Sequence, residues 1–310
     1  MGSKYSKTVF IVFLCVAILL VPLSSAFSKS PSKKNQHRKH SVSQHRKHLT
    51  SQSKKNSNQL VLRSASALVA DQLTGECLLA KKAGAVVPIA SITKLMTAMV
   101  VLDANLDLEE SLTIEEQDVD VLLHSRSRVP VGAHLTRREA LLLALMSSDN
   151  RCAHALGRTY PGGFNACVKA MNEKARLLGL SETRFQDTSG LSSGNVSSAR
   201  DLARLVANAY QYRLICEYTT SKKAFVNTGW RTLEFHNTNQ LVQNSQWQIG
   251  LSKTGFTDEA GRCLVMQAQV AERPLLIILL DSQGKMTRIG DANRIKRWLE
   301  TKANSQQIQG

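Results

Sequence analysis

No Cys-x-x-Cys pair and no His-Glu-x-x-His motif occurs among the 310 residues, although the chain carries six cysteines and eight histidines. Both patterns hold metal ligands at a fixed spacing, so the expectation is a protein with no metal and no cofactor. An apolar run of the roughly twenty residues that a membrane-spanning helix needs is also missing; the run from Val9 to Val21 is shorter. Acidic residues are absent from 27–58, a segment rich in Ser, Lys, Arg and His that writes Gln-His-Arg-Lys-His twice, at 36–40 and 44–48. Such a composition cannot build a core.

The short apolar run follows Lys4 and Lys7 and precedes Ser24-Ser25-Ala26, the pattern of a cleaved signal peptide over residues 1–26 that sends the protein to the periplasm. Residues 27–58 then read as a disordered basic tail with nine Lys or Arg, leaving 29 against 24 acids in residues 59–310. The tail is either a solvated linker or a ligand for anionic membrane or wall polymer, with an affinity that falls as salt rises. No specific nucleic acid is expected. Five cysteines remain after cleavage, an odd number, so at least one thiol should be free, and their pairing stays open.

What the chain does have is serine in the company of lysine. Ser-x-x-Lys begins at Ser30, Ser51, Ser91 and Ser282, so the pattern alone decides nothing. The first two lie in the basic segment and Ser282 in a Gly-containing turn. Ser91 instead opens Ser-Ile-Thr-Lys-Leu-Met-Thr-Ala-Met-Val-Val-Leu, an apolar helix candidate. Three residues apart on a helix, Ser91 and Lys94 share a face. A serine hydroxyl becomes nucleophilic when a base takes its proton, and lysine serves as that base once burial or a neighbouring cation lowers its pKa. Lys253 is a suitable neighbour. The positive end of the helix dipole would favour an oxyanion formed beside Ser91.

Two further elements complete the set. Thr136-Arg-Arg-Glu139 is a capping box for the helix Ala-Leu-Leu-Leu-Ala-Leu-Met, which delivers Ser148-Asp149-Asn150 to its C-terminal end. Ser148 is expected to relay a proton between Lys94 and a departing amine, and Asn150 to hold Lys94 and the substrate backbone, while Asp149 points elsewhere. Lys253-Thr254-Gly255 occurs once, within a strand-like run. There Lys253 supplies charge, Thr254 a hydrogen bond to a substrate carboxylate, and Gly255 room for the acyl chain, while the N–H groups of Phe256 and Ser91 form an oxyanion hole. Ser193-Gly194-Asn195 and Asn227-Thr228-Gly229 are near misses of the second and third elements.

This three-part set, with Pro-Ile-Ala-Ser-Ile-Thr-Lys-Leu-Met-Thr-Ala-Met, Asp-Thr-Ser-Gly-Leu-Ser and Ser-Lys-Thr-Gly-Phe-Thr-Asp-Glu-Ala-Gly-Arg-Cys, resembles the low-molecular-weight penicillin-binding proteins, the serine D-alanyl-D-alanine peptidases, over roughly residues 59–304. The resemblance implies a penicilloyl serine transferase fold, hydrolysis of D-alanyl bonds in peptidoglycan, and β-lactam antibiotics as covalent inhibitors. Carried over by motif, Ser91 is the nucleophile and Lys94 the base; Ser148 and Asn150 assist proton transfer, and Lys253 with Thr254 binds the carboxylate. Carboxypeptidase members commonly carry a further β-rich domain and an amphipathic anchor. Here about fifty-five residues follow Lys253, which favours an endopeptidase of peptide cross-links, with a terminal carboxypeptidase as the alternative.

The fold class expected is α/β (α+β), a five-stranded antiparallel sheet flanked by helices plus a mostly helical lobe. The catalytic domain would span 59–310, with a sheet lobe at 59–104 and 240–310 and a helical lobe at 105–239. Ala65–Ala70 and Glu76–Lys81 read as a hairpin, and Gln248–Phe256, Gly261–Val270 and Pro274–Asp281 as three more strands. The Ser91 helix and a final helix near Met286–Thr301 would cover the sheet. Three rival readings compete with this one. Gly190-Leu-Ser192-Ser-Gly194 fits the Gly-x-Ser-x-Gly pattern but lacks the buried strand before it. A class A β-lactamase also needs a deacylating glutamate, and no convincing Glu-x-x-x-Asn segment follows Asn150. A non-catalytic wall-binding protein would not need the intact serine and lysines.

Overall fold

Leu275, Ile277 and Leu279 are buried with Ala292, Ile295 and Leu299, whereas the alternate residues Leu276, Ile278 and Leu280 are buried with Leu202, Leu205 and Val206. Side chains of a strand alternate between faces, so this unbroken apolar run reads as a strand covered on both sides. The computed structural model describes residues 60–307 and shows that arrangement. Its strands are β1 (Ser64–Asp71), β2 (Cys77–Lys81), β3 (Val87–Pro88), β4 (Ser111–Thr113), β5 (His134–Thr136), β6 (Val196–Ser197), β7 (Lys223–Asn227), β8 (Thr232–His236), β9 (Gln248–Thr257), β10 (Gly261–Val270) and β11 (Arg273–Ser282). The main sheet runs β2-β1-β11-β10-β9, all antiparallel, with Val69 opposite Ile277 and Val265 opposite Lys253. Strand β9, which carries Lys253, is therefore an edge strand, and an edge leaves backbone groups open to an incoming peptide.

The helices are α1 (Lys94–Asp103), α2 (Arg137–Met146), α3 (Asn150–Arg158), α4 (Gly163–Leu177), α5 (Ala199–Ala209), α6 (Arg213–Thr220) and α7 (Thr287–Gln307). Helix α7 covers one face of the sheet and α5 the other. The Ser198 hydroxyl caps α5 by accepting from Asp201 N, and Thr136 with Glu139 forms both halves of the capping box of α2.

One expectation needs correction. Helix α1 does not cover the sheet. Eight of its ten residues are buried, and it packs among α2, α3, α4 and α5. A helix apolar on all sides belongs in the middle of a bundle, not on one face of a sheet. Within the mostly helical stretch 105–239, residues 223–236 form the hairpin β7–β8 around Asn227-Thr228-Gly229. Ala224, Val226, Leu233 and Phe235 face inward at every second position, a period of two set within a polar, basic stretch.

Candidate active site

Ser91 sits in a 3-10 turn, Ala90–Thr93, that runs directly into α1. The turn is held in an unfavourable conformation, because Ala90 has φ +47, where a residue with a Cβ pays about 1–3 kcal/mol. Two glycines clamp it. A Cβ at Gly190 would lie 2.0 Å from the Ala90 carbonyl oxygen, and one at Gly255 would lie 2.8 Å from that of Ile89 and 3.2 Å from the Ser91 nitrogen. Glycine at 255 is thus required by the turn packed against β9, a different reason from the room for an acyl chain that the sequence suggested.

Lys94 is 1 % exposed, and its ammonium donates to Ser91 Oγ at 2.8 Å, to Asn150 Oδ1 at 2.7 Å and to the Ser189 carbonyl at 2.6 Å. Burial pulls its pKa down to about 8, with Asp187 and then Asp149 acting the other way. Roughly one Lys94 in ten is then neutral at pH 7. Lys253, also buried, donates to Ser148 Oγ at 2.8 Å. Burial, followed by repulsion from Lys94 and Arg288, holds Lys253 well below the usual lysine range.

Ser148 lies between α2 and α3 at φ +62, and its hydroxyl bonds Lys253, with no direct bond to Lys94. Ser148, expected to relay a proton between Lys94 and a departing amine, thus meets the other lysine in this ligand-free structure. Asn150 opens α3 and also donates to Ser125 Oγ at 2.7 Å. Asp149 caps α3, accepting from Cys152 N, and takes a 2.6 Å bond from Ser127. The Thr254 hydroxyl lies on the same edge strand, and the Phe256 ring is half exposed beneath the Arg262 guanidinium at 4.2 Å. All eight residues expected at the site, Ser91, Lys94, Ser148, Asn150, Lys253, Thr254, Gly255 and Phe256, belong to these adjoining segments.

Three residues escaped the sequence reading. Asp187 accepts from the nitrogens of Ser189, Gly190 and Ser192 and from the Ser189 hydroxyl, thereby fixing the carbonyl that Lys94 meets. Its Asp-x-x-Gly pattern is a turn signal that could have been used. The Thr238 hydroxyl lies 2.6 Å from that of Thr254. The Arg288 guanidinium approaches the Gly255 carbonyl at 3.5 Å, and its Nε is buried without a partner. Nothing local in the sequence marks Thr238 or Arg288. Ser192 of the rival pattern lies in the Asp187 loop and bonds Gln186. Each of the five described cysteines stands free, and Cys263, in β10 opposite Gly255, is pushed up to about 11 by burial.

A nucleophile candidate, two buried lysines and an open strand edge suit acyl transfer, and the chain is similar to known proteins. The family model described as D-alanyl-D-alanine carboxypeptidase matches residues 51–284. A D-alanyl-D-alanine endopeptidase of Pseudomonas aeruginosa is 51% identical over 246 residues, covering 78% of this chain and 79% of that protein. One of Escherichia coli is 44% identical over 248 residues, covering 79% and 80%. Among solved structures, a Streptomyces DD-transpeptidase is similar with a TM-score of 0.71 at 27% identity, over 77% of this chain and 97% of that one. The chain belongs to the D-alanyl-D-alanine carboxypeptidase family and is a penicillin-binding serine DD-peptidase with that family's α/β fold.

Proposed function

We propose that the protein is an endopeptidase that cuts D-alanyl cross-links of peptidoglycan through an acyl-enzyme on Ser91. The observation that carries this reading is the buried Lys94 with its ammonium on Ser91 Oγ and a pKa of about 8. Neutral Lys94 takes the hydroxyl proton as Ser91 Oγ adds to the carbonyl carbon of the D-alanyl amide. The N–H groups of Ser91 and Phe256 would face the resulting oxyanion. Collapse breaks the C–N bond, and the departing amine takes the proton that Lys94 carried, passed on through the Ser148 hydroxyl that Lys253 holds, so that Lys94 is neutral again and can take a proton from the attacking water. Water then cleaves the ester, giving a free carboxylate and restoring Ser91. Lys253, Thr254 and Arg288 offer the positive charge and hydrogen bonds that a substrate carboxylate needs.

The endopeptidase choice is supported by the names of the 51% and 44% identical relatives, whereas the carboxypeptidase relatives are 26% to 32% identical. Residues 1–26 would act as the export signal and 27–58 as a basic tail that holds anionic membrane or wall polymer; both lie outside the described residues. The test is digestion of purified cross-linked muropeptide dimers by wild type and Ser91→Ala. Conversion of dimers to monomers by the wild type alone is expected. Release of terminal D-alanine with intact dimers would make the protein a carboxypeptidase.

A further inference from the structure

One wall of the cleft, made of residues 121–132 and 222–236, takes no part in the chemistry above. Its two segments are tied together. The Arg128 guanidinium lies 5.2 Å above the Phe235 ring and donates to the Glu234 carbonyl. The Trp230 ring, near the tip of the β7–β8 hairpin, rests against Gly132, where φ is +82 and a Cβ would lie 3.0 Å from the ring. Both segments reach the site as well. Ser125 accepts from Asn150, Ser127 donates to Asp149, and Thr238, two residues beyond β8, meets Thr254. The wall therefore stands beside Asp149, Asn150 and Thr254.

Its surface is unlike the rest of the protein. Trp230 is 65% exposed although its ring is seated on backbone. The two segments carry five Lys or Arg and a single acid, Glu234, whereas the remainder of 59–310 carries 24 against 23. Nearly all the net positive charge of the domain is thus gathered on this wall. Arg126 and Arg231 form no ion pair among the described residues. An exposed indole on a surface that also carries unpaired guanidiniums suits a peptide with an apolar stem and free carboxylates.

We propose that this wall binds the second peptide strand of a cross-linked dimer, the strand that leaves with the amine, with Trp230 covering its apolar part and Arg126 and Arg231 pairing its carboxylates. The proposal rests on the endopeptidase reading. Binding energy realised only with the second strand speeds cross-link cleavage and leaves single-strand reactions alone.

The experiment compares full-length wild type with Trp230→Ala and with the pair Arg126→Gln/Arg231→Gln. The substrates are sugar-free peptide dimers with free or amidated carboxylates, and acylation by fluorescent penicillin is measured alongside. With free-carboxylate dimers kcat/KM is expected to fall about tenfold or more in each variant. Penicillin acylation should stay within about twofold, and Arg126→Lys/Arg231→Lys should recover most of the loss. Amidated dimers should be cut slowly by the wild type and no more slowly by the arginine pair. Dimer cleavage unchanged in the variants, or penicillin acylation falling in parallel, would overturn the proposal, as would a loss seen only with sugar-bearing dimers, which would assign the wall to glycan. A wild type that is acylated yet cuts no dimer would instead refute the endopeptidase reading beneath it.

Discussion

Lys94 decides whether Ser91 can react, and its ionisation gives the site a pH dependence of definite sign. Burial lowers its pKa to about 8, and only the neutral amine can accept the serine proton, so penicillin acylation is expected to rise with pH and level off above about 8. A stopped-flow pH series measures this; a rate that falls through the same range would contradict the role. Asp187 opposes the burial effect, so removing its charge should lower the Lys94 pKa further. Asp187→Asn is therefore expected to move the midpoint of that profile to lower pH, even if the loop it holds loosens and the maximal rate drops. A purely structural role for Asp187 would reduce the rate with no change in midpoint.

The turn that carries Ser91 depends on glycines contributed by two other elements. Gly190→Ala puts a methyl 2.0 Å from the Ala90 carbonyl oxygen at a φ of +85. The variant should lose penicillin labelling by about a hundredfold or more while keeping its far-ultraviolet circular dichroism, since a misplaced nucleophile costs on that order. Labelling at the wild-type rate would show that the clamp is dispensable. At helix α2, Thr136→Ala removes the capping box and should cost about 1 kcal/mol in chemical denaturation. This helix, the five strands of the main sheet and the final helix were legible in the sequence because each rests on local signals: a cap, an alternation, an apolar stripe. Helix α1 was legible as a helix but not in its placement, because an apolar run does not say which neighbour covers it. The β7–β8 hairpin had the alternation and the turn, yet its polar, basic composition resembled a loop.

At the scale of the whole molecule, the site joins residues as distant in sequence as Ser91, Ser148 and Lys253, and motif order made most of it readable in advance. What could not be read is the support: Arg288 from the last helix and Thr238 from the connection after β8 reach the site through tertiary packing, with no spacing to mark them. The Ser148 bond to Lys253 belongs here too, because sequence gives two lysines and cannot say which one a hydroxyl will meet. Ser91, held by Lys94, is expected to form the acyl-enzyme. This is tested most directly by reacting the protein with benzylpenicillin, digesting it and mapping the adduct by mass spectrometry. The whole antibiotic is expected as an added mass on the peptide containing Ser91, and none on Ser91→Ala; an adduct on the peptide containing Ser192, or no adduct at all, would show that Ser91 is not the nucleophile.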